Sequence, residues 1–233
     1  MALKLLLHAG CGSKLNKPPY EFGAYKEVRL DCNKMLQPDI VASIVAMPMI
    51  DDASYDAIFA SHVLEHLYAH EVSMALSEFA RVLKPGGKIL VQVPDLQAIG
   101  GRLALDQADH VLYMSAAGAI TALDVLYGHQ ASVGGGNLFM SHKTGFTSSV
   151  MKNALQAVGF TKVEIDRDKF EIKARALKPE IVDEQKEEGA ENTAPSREDS
   201  RSGADVGGAG NGHREVPERA LRETGVPCAS AGG

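Results

Sequence analysis

Short apolar segments that alternate with helical patterns constrain the fold of this chain more than any other feature. Residues 3–9, 28–30, 40–44, 57–60 and 88–93 are each too short for a buried helix and have the composition of a buried strand. Strands separated by helical segments are typical of a parallel sheet that is covered by helices. The alternation therefore predicts an α/β fold.

Two helices and a terminal hairpin complete the predicted body. Apolar residues recur at three- and four-residue spacing over 72–83, and Pro85-Gly86-Gly87 is expected to stop this helix and turn the chain. A second helix is predicted over 148–158, with Thr147 as its N-cap. Residues 162–166 and 170–176 have the pattern of a hairpin. We expect a seven-stranded, mostly parallel sheet with helices on both faces.

The remaining residues divide into an insertion and a tail. Residues 95–146 are irregular, with a helix expected near 111–126, and a segment of this length is typical of a substrate-binding lid. Residues 179–233 lack aromatic side chains and are rich in Glu, Ser, Gly and Ala. Such a composition buries too little apolar surface to offset its ordering entropy. We predict a folded domain over 1–178 and a disordered acidic, glycine-rich tail over 179–233.

Charge and cysteine content narrow the range of partners. The tail contains 12 acidic and 6 basic residues, so the body is formally neutral although the chain carries a net charge of −6. Nucleic-acid binding is not expected, because it usually requires a basic face. The three cysteines lack zinc or redox spacing, and no signal peptide or membrane helix is evident. We expect a cytoplasmic protein with a small-molecule partner, and the acidic tail is a candidate segment for binding another protein.

A glycine-rich turn points to a cofactor. Gly10-Cys11-Gly12 follows the first strand, and glycines let a backbone turn sharply and approach a ligand closely. The second strand ends at Asp31, and an acid at this distance can accept hydrogen bonds from ribose hydroxyls. The segment 13–27 contains Pro18-Pro19 and lacks the helix that would bind a pyrophosphate. The pattern favours a nucleoside cofactor without a pyrophosphate over a dinucleotide.

An ordered set of motifs resembles the type 11 class I methyltransferases, which use S-adenosylmethionine. The resemblance covers residues 3–163. It is carried by Gly10-Cys11-Gly12, Asp31, Met47-Pro48, Tyr55-Asp56-Ala57-Ile58, His62-Val63-Leu64-Glu65-His66-Leu67, Glu78-Phe79-Ala80-Arg81-Val82-Leu83-Lys84-Pro85-Gly86-Gly87 and Val93-Pro94-Asp95. Tyr127-Gly128-His129 and His142-Lys143-Thr144-Gly145-Phe146-Thr147 are similar to a subgroup with poorly defined substrates. The resemblance implies a Rossmann-like class I methyltransferase fold.

The resemblance also implies where the cofactor lies. Its methionine portion would lie against the glycine turn and its ribose diol against Asp31. The other implied contacts are Cys32, Ser43 and Ile44 near the adenine, and Ser61 and His62 after the fourth strand. We also expect His8 to contact the cofactor, although it stands where the family usually has an acid that is linked to the methionine amine. Ser43 stands where the family usually has Asp.

Three histidines are candidates for the general base. Methyl transfer is an in-line displacement, and an acidic nucleophile such as a hydroxyl benefits from a base within hydrogen-bond reach. We favour His129 and His142 over His62, because both lie at the far end of the insertion that is expected to cover the acceptor. The alternative is that they bind backbone groups in loops.

The segment His62-Val63-Leu64-Glu65-His66 has an alternative interpretation. Small-RNA 3′-end and some ubiquinone O-methyltransferases are similar in using a Glu-x-x-Glu-His stretch and a distal histidine to hold a divalent ion. His62 replaces the first of these acids, so we assign no metal ligand and expect Glu65 and His66 to begin a helix and pack locally.

The predicted function is methyl transfer from S-adenosylmethionine to an oxygen or nitrogen of a small polar acceptor, such as a sugar or metabolite. One alternative is a binding or interaction protein with impaired catalysis, for which His8 and Ser43 are the reason. A divalent-metal-assisted O-methyltransferase is the other alternative.

Overall fold

Seven strands of the computed structural model, which describes residues 3–115 and 117–180, form one sheet. They are β1 (Leu5–Ala9), β2 (Lys26–Asp31), β3 (Ile40–Val41), β4 (Tyr55–Ser61), β5 (Leu83–Pro94), β8 (Thr161–Asp168) and β9 (Glu171–Leu177). Their order is β3-β2-β1-β4-β5-β9-β8, and β9 is antiparallel to both of its neighbours while the other pairs are parallel. The predicted α/β fold and the predicted terminal hairpin are confirmed.

Five helices are described. They are α1 (Ala69–Val82), α2 (Leu96–Leu103), α3 (Ala122–Tyr127), α4 (Gln130–Gly134) and α5 (Ser148–Ala157). The predicted helices over 72–83 and 148–158 correspond to α1 and α5, and the Thr147 hydroxyl caps α5 by accepting from the Val150 N–H. None of the described helices has the length and apolar character needed to cross a membrane.

The two faces of the sheet are covered differently. The apolar faces of α1 and α5 pack on one side, where Ile58, Leu76 and Met151 belong to the largest core cluster. On the opposite side, Phe59 is covered by Phe22, which comes from a 3-10 turn in the connection between β1 and β2. This connection forms no α-helix, as the sequence predicts, so no helix N-terminus faces the glycine turn after β1.

The prediction of a turn at Pro85-Gly86-Gly87 is wrong. α1 does end at Val82, but the chain continues directly into β5 and carries these residues as an irregularity within the strand. The register against β4 shifts here, and Gly86 and Gly87 exchange backbone hydrogen bonds with Lys178. Backbone hydrogen bonds to Lys178 therefore hold this segment within β5 in place of the expected turn.

The helix expected near 111–126 is also wrong over most of its length. β6 (Val111–Ser115) and β7 (Gly118–Thr121) form a two-stranded hairpin, and only α3 is helical. The hairpin and α3 bury Ile120, Ala122 and Val125 against Ile99 of α2. The insertion thus has a small core of its own. The helical spacing of apolar residues over 111–126 does not reveal this core or the hairpin that contributes to it.

The tail that we predict to be disordered, and that is a candidate for binding another protein, covers residues 179–233. From residue 181 onward it lies outside the described part of the chain.

Candidate functional site

The glycine turn at the end of β1 is sterically obligatory. Gly10 has φ +65° and Gly12 has φ +58°, a region that favours glycine. A Cβ on Gly10 would lie 2.4 Å from Cγ2 of Val63, which follows β4. The two glycines therefore permit the close approach of this turn to the end of β4.

Asp31 joins the glycine turn to the end of β2. One carboxylate oxygen accepts from the Gly12 N–H at 2.9 Å and the other from the Asn33 N–H at 2.9 Å. The side chain is fully buried, and this burial raises the pKa of Asp31 although the Asn33, Gly12 and Cys32 N–H groups oppose the rise. The structure brings together the acid and the glycine turn that the spacing selected, and Asp31 orders the turn itself.

Arg29 is a further residue of the turn that the sequence analysis did not identify. Its Nη2 donates to the carbonyl oxygens of Gly12 at 2.9 Å and Ser13 at 2.8 Å, and its Nη1 forms an ion pair with Glu27 at 3.2 Å. A guanidinium can bind several carbonyls at once because it carries five donors in a fixed plane. Only the tertiary fold places Arg29 beneath the turn, and no pattern in the sequence signals it.

His8 lies within the sheet. Its Nδ1 is 2.7 Å from a Glu27 carboxylate oxygen, and its ring packs against Phe59 with a centroid distance of 5.0 Å. Burial lowers the pKa of His8, and the hydrogen bond that the Glu27 carboxylate accepts only partly opposes the change. The expected contact of His8 with the cofactor stays a prediction.

The other expected cofactor residues lie at the same edge of the sheet. The Ala42 N–H donates to the Asp31 carbonyl at 3.1 Å, which places Ser43 and Ile44 beside the end of β2. Ile44 is fully buried, whereas Ser43, Cys32 and Ser61 are half-buried. The predicted residues thus lie at or just beyond the ends of four neighbouring strands, β3, β2, β1 and β4.

A cavity of about 580 Å³ opens beyond the end of β4. The insertion contributes Tyr113, Ile120 and Met140 to its wall, and the β8–β9 hairpin contributes Phe170 and Glu171. Its volume lies within the usual range of small-molecule sites, and its lining combines apolar and polar groups. The insertion therefore forms one wall of the cavity.

Glu65, His66 and His142 meet at this cavity, and we call them the Glu65 cluster. Glu65 and His66 lie in a separate 3-10 turn, Leu64–His66, so the expectation that they begin a helix is wrong. The rings of His66 and His142 have a centroid distance of 4.8 Å, and burial lowers the pKa of His142. Glu65 Oε2 is buried and lacks a hydrogen-bond partner among the residues described.

His62 connects the end of β4 with β9. Its Nδ1 is 3.2 Å from Glu65 Oε1, and its Nε2 is 3.1 Å from Glu171 Oε2. Burial lowers its pKa, but the hydrogen bonds and charges of Glu171 and Glu65 outweigh this effect and raise the pKa of His62 to about 10. With φ at +50°, His62 adopts a backbone conformation that is uncommon outside glycine and is enriched at functional sites.

The two histidines favoured as bases both line the cavity. His129 Nδ1 lies 2.7 Å from the Ser132 hydroxyl, and His142 Nδ1 lies 2.8 Å from the Val125 carbonyl oxygen. Of these two, only His142 belongs to the Glu65 cluster.

Comparisons with known proteins agree with this architecture. Residues 7–91 match the family model of a methyltransferase domain. A search of the curated proteins gave no match. An S-adenosylmethionine-dependent methyltransferase of Methanosarcina mazei has a similar structure, with a TM-score of 0.52, 18% identity, and coverage of 77% of this chain and 94% of that chain. A Pyrococcus horikoshii protein aligns with a TM-score of 0.52, 14% identity, and coverage of 76% of this chain and 82% of that chain. At these identities, the structural likenesses establish the fold.

Proposed function

We propose that the chain is a class I S-adenosylmethionine-dependent methyltransferase and that it methylates an oxygen or nitrogen of a small polar acceptor held in the 580 Å³ cavity. The observation that carries the proposal is the position of His62. It follows Ser61 at the end of β4, next to the glycine turn through Val63, and it also lines the cavity.

The cofactor site fits the sheet topology. β2 and β1 lie on one side and β4 and β5 on the other, so the strand order reverses between β1 and β4. Ligands of such sheets bind outside the carboxyl ends of the strands at this point. We assign the methionine portion to Gly10, Cys11 and Gly12. Asp31 would hold the ribose, with the adenine near Cys32, Ser43 and Ile44, and Ser61 and His62 would complete the site.

The cofactor supplies a methyl group bound to a positively charged sulfur. The protein has to align the acceptor with this group and exclude water, and alignment alone contributes up to roughly 7–11 kcal/mol in favourable intramolecular systems. The walls contributed by the insertion and by the β8–β9 hairpin enclose the acceptor on two sides. These elements therefore perform the orienting step.

The proton of a hydroxyl or ammonium acceptor requires a base. His129 and His142 are the proposed candidates, and His129 is the stronger one because its side chain lies outside the Glu65 cluster. A general base typically accelerates such a step by roughly 10²–10⁴-fold. Acidic and basic side chains, among them Glu171 and Lys173, both line the cavity, which suits a polar acceptor.

Calorimetric titration of the full-length protein tests the cofactor site. We expect micromolar affinity for S-adenosylmethionine and S-adenosylhomocysteine and no heat of binding with NAD. Turnover is then measured with a panel of hydroxyl and amine acceptors. A His129→Ala variant should lose about 100-fold or more in turnover at unchanged cofactor affinity, and equal turnover would reject His129 as the base.

A cofactor-binding protein with impaired catalysis is the second candidate. It is favoured by His8, whose imidazole is engaged by Glu27 where the family usually carries an acid. This candidate predicts binding of both cofactor forms and no methylation of any acceptor in the panel.

A further inference from the structure

We propose that the Glu65 cluster binds one divalent first-row transition-metal ion of the zinc type. Its three side chains each offer one ligand atom, and these atoms all lie within 4.8 Å of one another. The inference is independent of the proposed methyl transfer. It departs from the sequence analysis, which assigns no metal ligand, and it reassigns His142 from base to ligand.

The two histidines have the tautomer that metal ligands require. His66 Nδ1 lies 3.1 Å from the Ser141 carbonyl oxygen, and His142 Nδ1 lies 2.8 Å from the Val125 carbonyl oxygen. A carbonyl oxygen can only accept a hydrogen bond, so both Nδ1 atoms carry the proton. In its neutral form each ring therefore presents an unprotonated Nε2, which is the arrangement that second-shell carbonyls impose on metal-binding histidines.

Glu65 supplies a buried carboxylate oxygen that makes no hydrogen bond to the described residues. Oε1 faces His62, but Oε2 is buried and has no hydrogen-bond partner within the described chain. A buried carboxylate oxygen without a partner is costly because it has lost its hydration. A cation between Glu65 Oε2 and the two Nε2 atoms would remove this cost.

The backbone holds the three residues together across the fold. The Lys143 and Thr144 N–H groups both donate to the Glu65 carbonyl oxygen, at 2.8 and 3.2 Å. The segment that carries His142 is thereby fixed against the turn that carries Glu65 and His66. Ligand bonds of about 2.0–2.2 Å bring the three ligand atoms closer together than 4.8 Å, so binding requires small side-chain rotations.

The donor set selects the class of metal. Two imidazole nitrogens and one carboxylate suit zinc, iron and cobalt, whereas magnesium and calcium prefer sites made only of oxygen. Three protein ligands leave at least one coordination position free, and the cluster lines the 580 Å³ cavity. The free position therefore faces the space that we assign to the acceptor.

Cobalt(II) is the probe for the experiment, because its visible absorption reports the coordinating atoms. Full-length protein without a histidine tag is freed of metal by chelation and titrated with cobalt(II) and then with zinc(II). We expect one equivalent of cobalt to bind with the spectrum of a nitrogen- and oxygen-ligated ion, and zinc to displace it. Magnesium(II) in large excess should leave the spectrum unchanged.

Glu65→Gln and His142→Ala are the test variants, and His70→Ala is the matched control because His70 is exposed on α1. Loss of a ligand should weaken zinc binding by at least about 100-fold, more than the loss of a second-shell partner, while the control binds like the wild type. S-adenosylhomocysteine titrations and melting curves of the metal-free proteins verify that each variant is folded.

Three outcomes would overturn the proposal. The first is no binding of cobalt or zinc by folded wild-type protein. Another is binding of equal affinity in both test variants, and the third is a thiolate charge-transfer band, which would place the ion on cysteine. None of these outcomes depends on the methylation assay, so failure of the metal site and failure of the proposed function remain distinguishable.

Discussion

Individual side chains below the glycine turn determine its shape. Arg29 is largely buried, and it binds the carbonyl oxygens of Cys11, Gly12 and Ser13 from one side while Asp31 binds the Gly12 N–H from the other. The turn is therefore held by a cation and an anion that both come from β2. An apparent loop motif is thus specified in large part by a strand.

Arg29→Lys should destabilise the protein and loosen the turn. A lysine retains the charge but cannot bind three carbonyls in one plane, and we expect a loss of about 1–3 kcal/mol in the free energy of unfolding. Affinity for S-adenosylhomocysteine should fall with it. Chemical denaturation and calorimetry measure the two effects. Arg102→Lys, at an exposed position of α2, is the control, and an equal effect in both variants would contradict the role of Arg29.

His8 makes stability dependent on pH. Burial lowers its pKa below the ordinary value of 6.5, although Glu27 opposes the shift and Arg29 and Lys17 add to it. The unfolded chain therefore binds the proton more readily, and the contribution of His8 to stability, complete above pH 6.5, is lost as the pH falls towards the lowered value.

A His8→Gln variant keeps a polar partner for Glu27 but does not titrate. Between about pH 7.5 and about pH 5.5, which bracket the ordinary histidine pKa, its melting temperature should fall less than that of the wild type. His70→Gln, at an exposed position, should follow the wild-type curve. Parallel curves for all three proteins would show that His8 titrates alike in both states.

At the scale of elements, the irregularity in β5 has a steric requirement. A Cβ on Gly87 would lie 2.7 Å from Leu83 Cγ and 2.8 Å from the Lys84 carbonyl oxygen, so the backbone would have to move. Gly87→Ala should lower the free energy of unfolding by about 1–3 kcal/mol. Gly101→Ala is its counterpart, because Gly101 lies within α2 with open space around it. It should stabilise the protein by up to about 1 kcal/mol.

Thermal or chemical unfolding measures the change in the free energy of unfolding for both glycine variants. Opposite signs are expected, and destabilisation by both substitutions would mean that backbone space at Gly87 is not the cause.

Elements with one clear periodicity could be predicted, whereas elements fixed by distant partners could not. α1 has a single apolar stripe, which locates the helix but places its start at residue 72 instead of Ala69. The β6–β7 hairpin contains apolar residues at spacings that also suit a helix, and its burial depends on α2, which precedes it in the chain. The Pro85-Gly86-Gly87 segment is part of β5 because Lys178 pairs with it, and the local sequence does not indicate this distant partner.

The candidate site likewise contains contacts that could be predicted from the sequence and contacts that could not. The pairing of Gly12 with Asp31 follows from their position at the ends of adjacent parallel strands, 19 residues apart. The Glu65 cluster joins residues from a 3-10 turn and from the end of the insertion, and His66 and Ser141 meet although 75 residues separate them. Contacts of this range depend on the path of the insertion, which the sequence pattern left open.

For the whole molecule, the boundary of the folded body can be set from hydrogen bonds. The Lys178 N–H donates to the Gly87 carbonyl oxygen at 2.9 Å, and its Nζ donates to the Leu83 carbonyl oxygen at 2.7 Å. We predict that a chain ending at Glu180 keeps the melting temperature and the S-adenosylhomocysteine affinity of the full-length protein.

A chain ending at Ala176 is the contrasting variant. It loses Leu177, which pairs with Lys88, as well as the bonds of Lys178, so its melting temperature should fall. If the chain ending at Glu180 loses as much stability, residues beyond 180 take part in the fold and the predicted boundary is wrong.

The insertion leaves the sheet and returns to it at almost the same point. The Leu96 N–H donates to the Phe146 carbonyl oxygen at 2.9 Å, and Asp95 bridges to Phe146, so the two ends of the insertion are adjacent. The entropy of closing a loop with fixed ends grows only slowly with its length. This segment can therefore be lengthened or replaced in evolution while the strands that carry the proposed cofactor residues stay as they are. His142 lies near the end of the insertion. An exchange that omits it would therefore alter the proposed acceptor site and remove a proposed metal ligand in a single event.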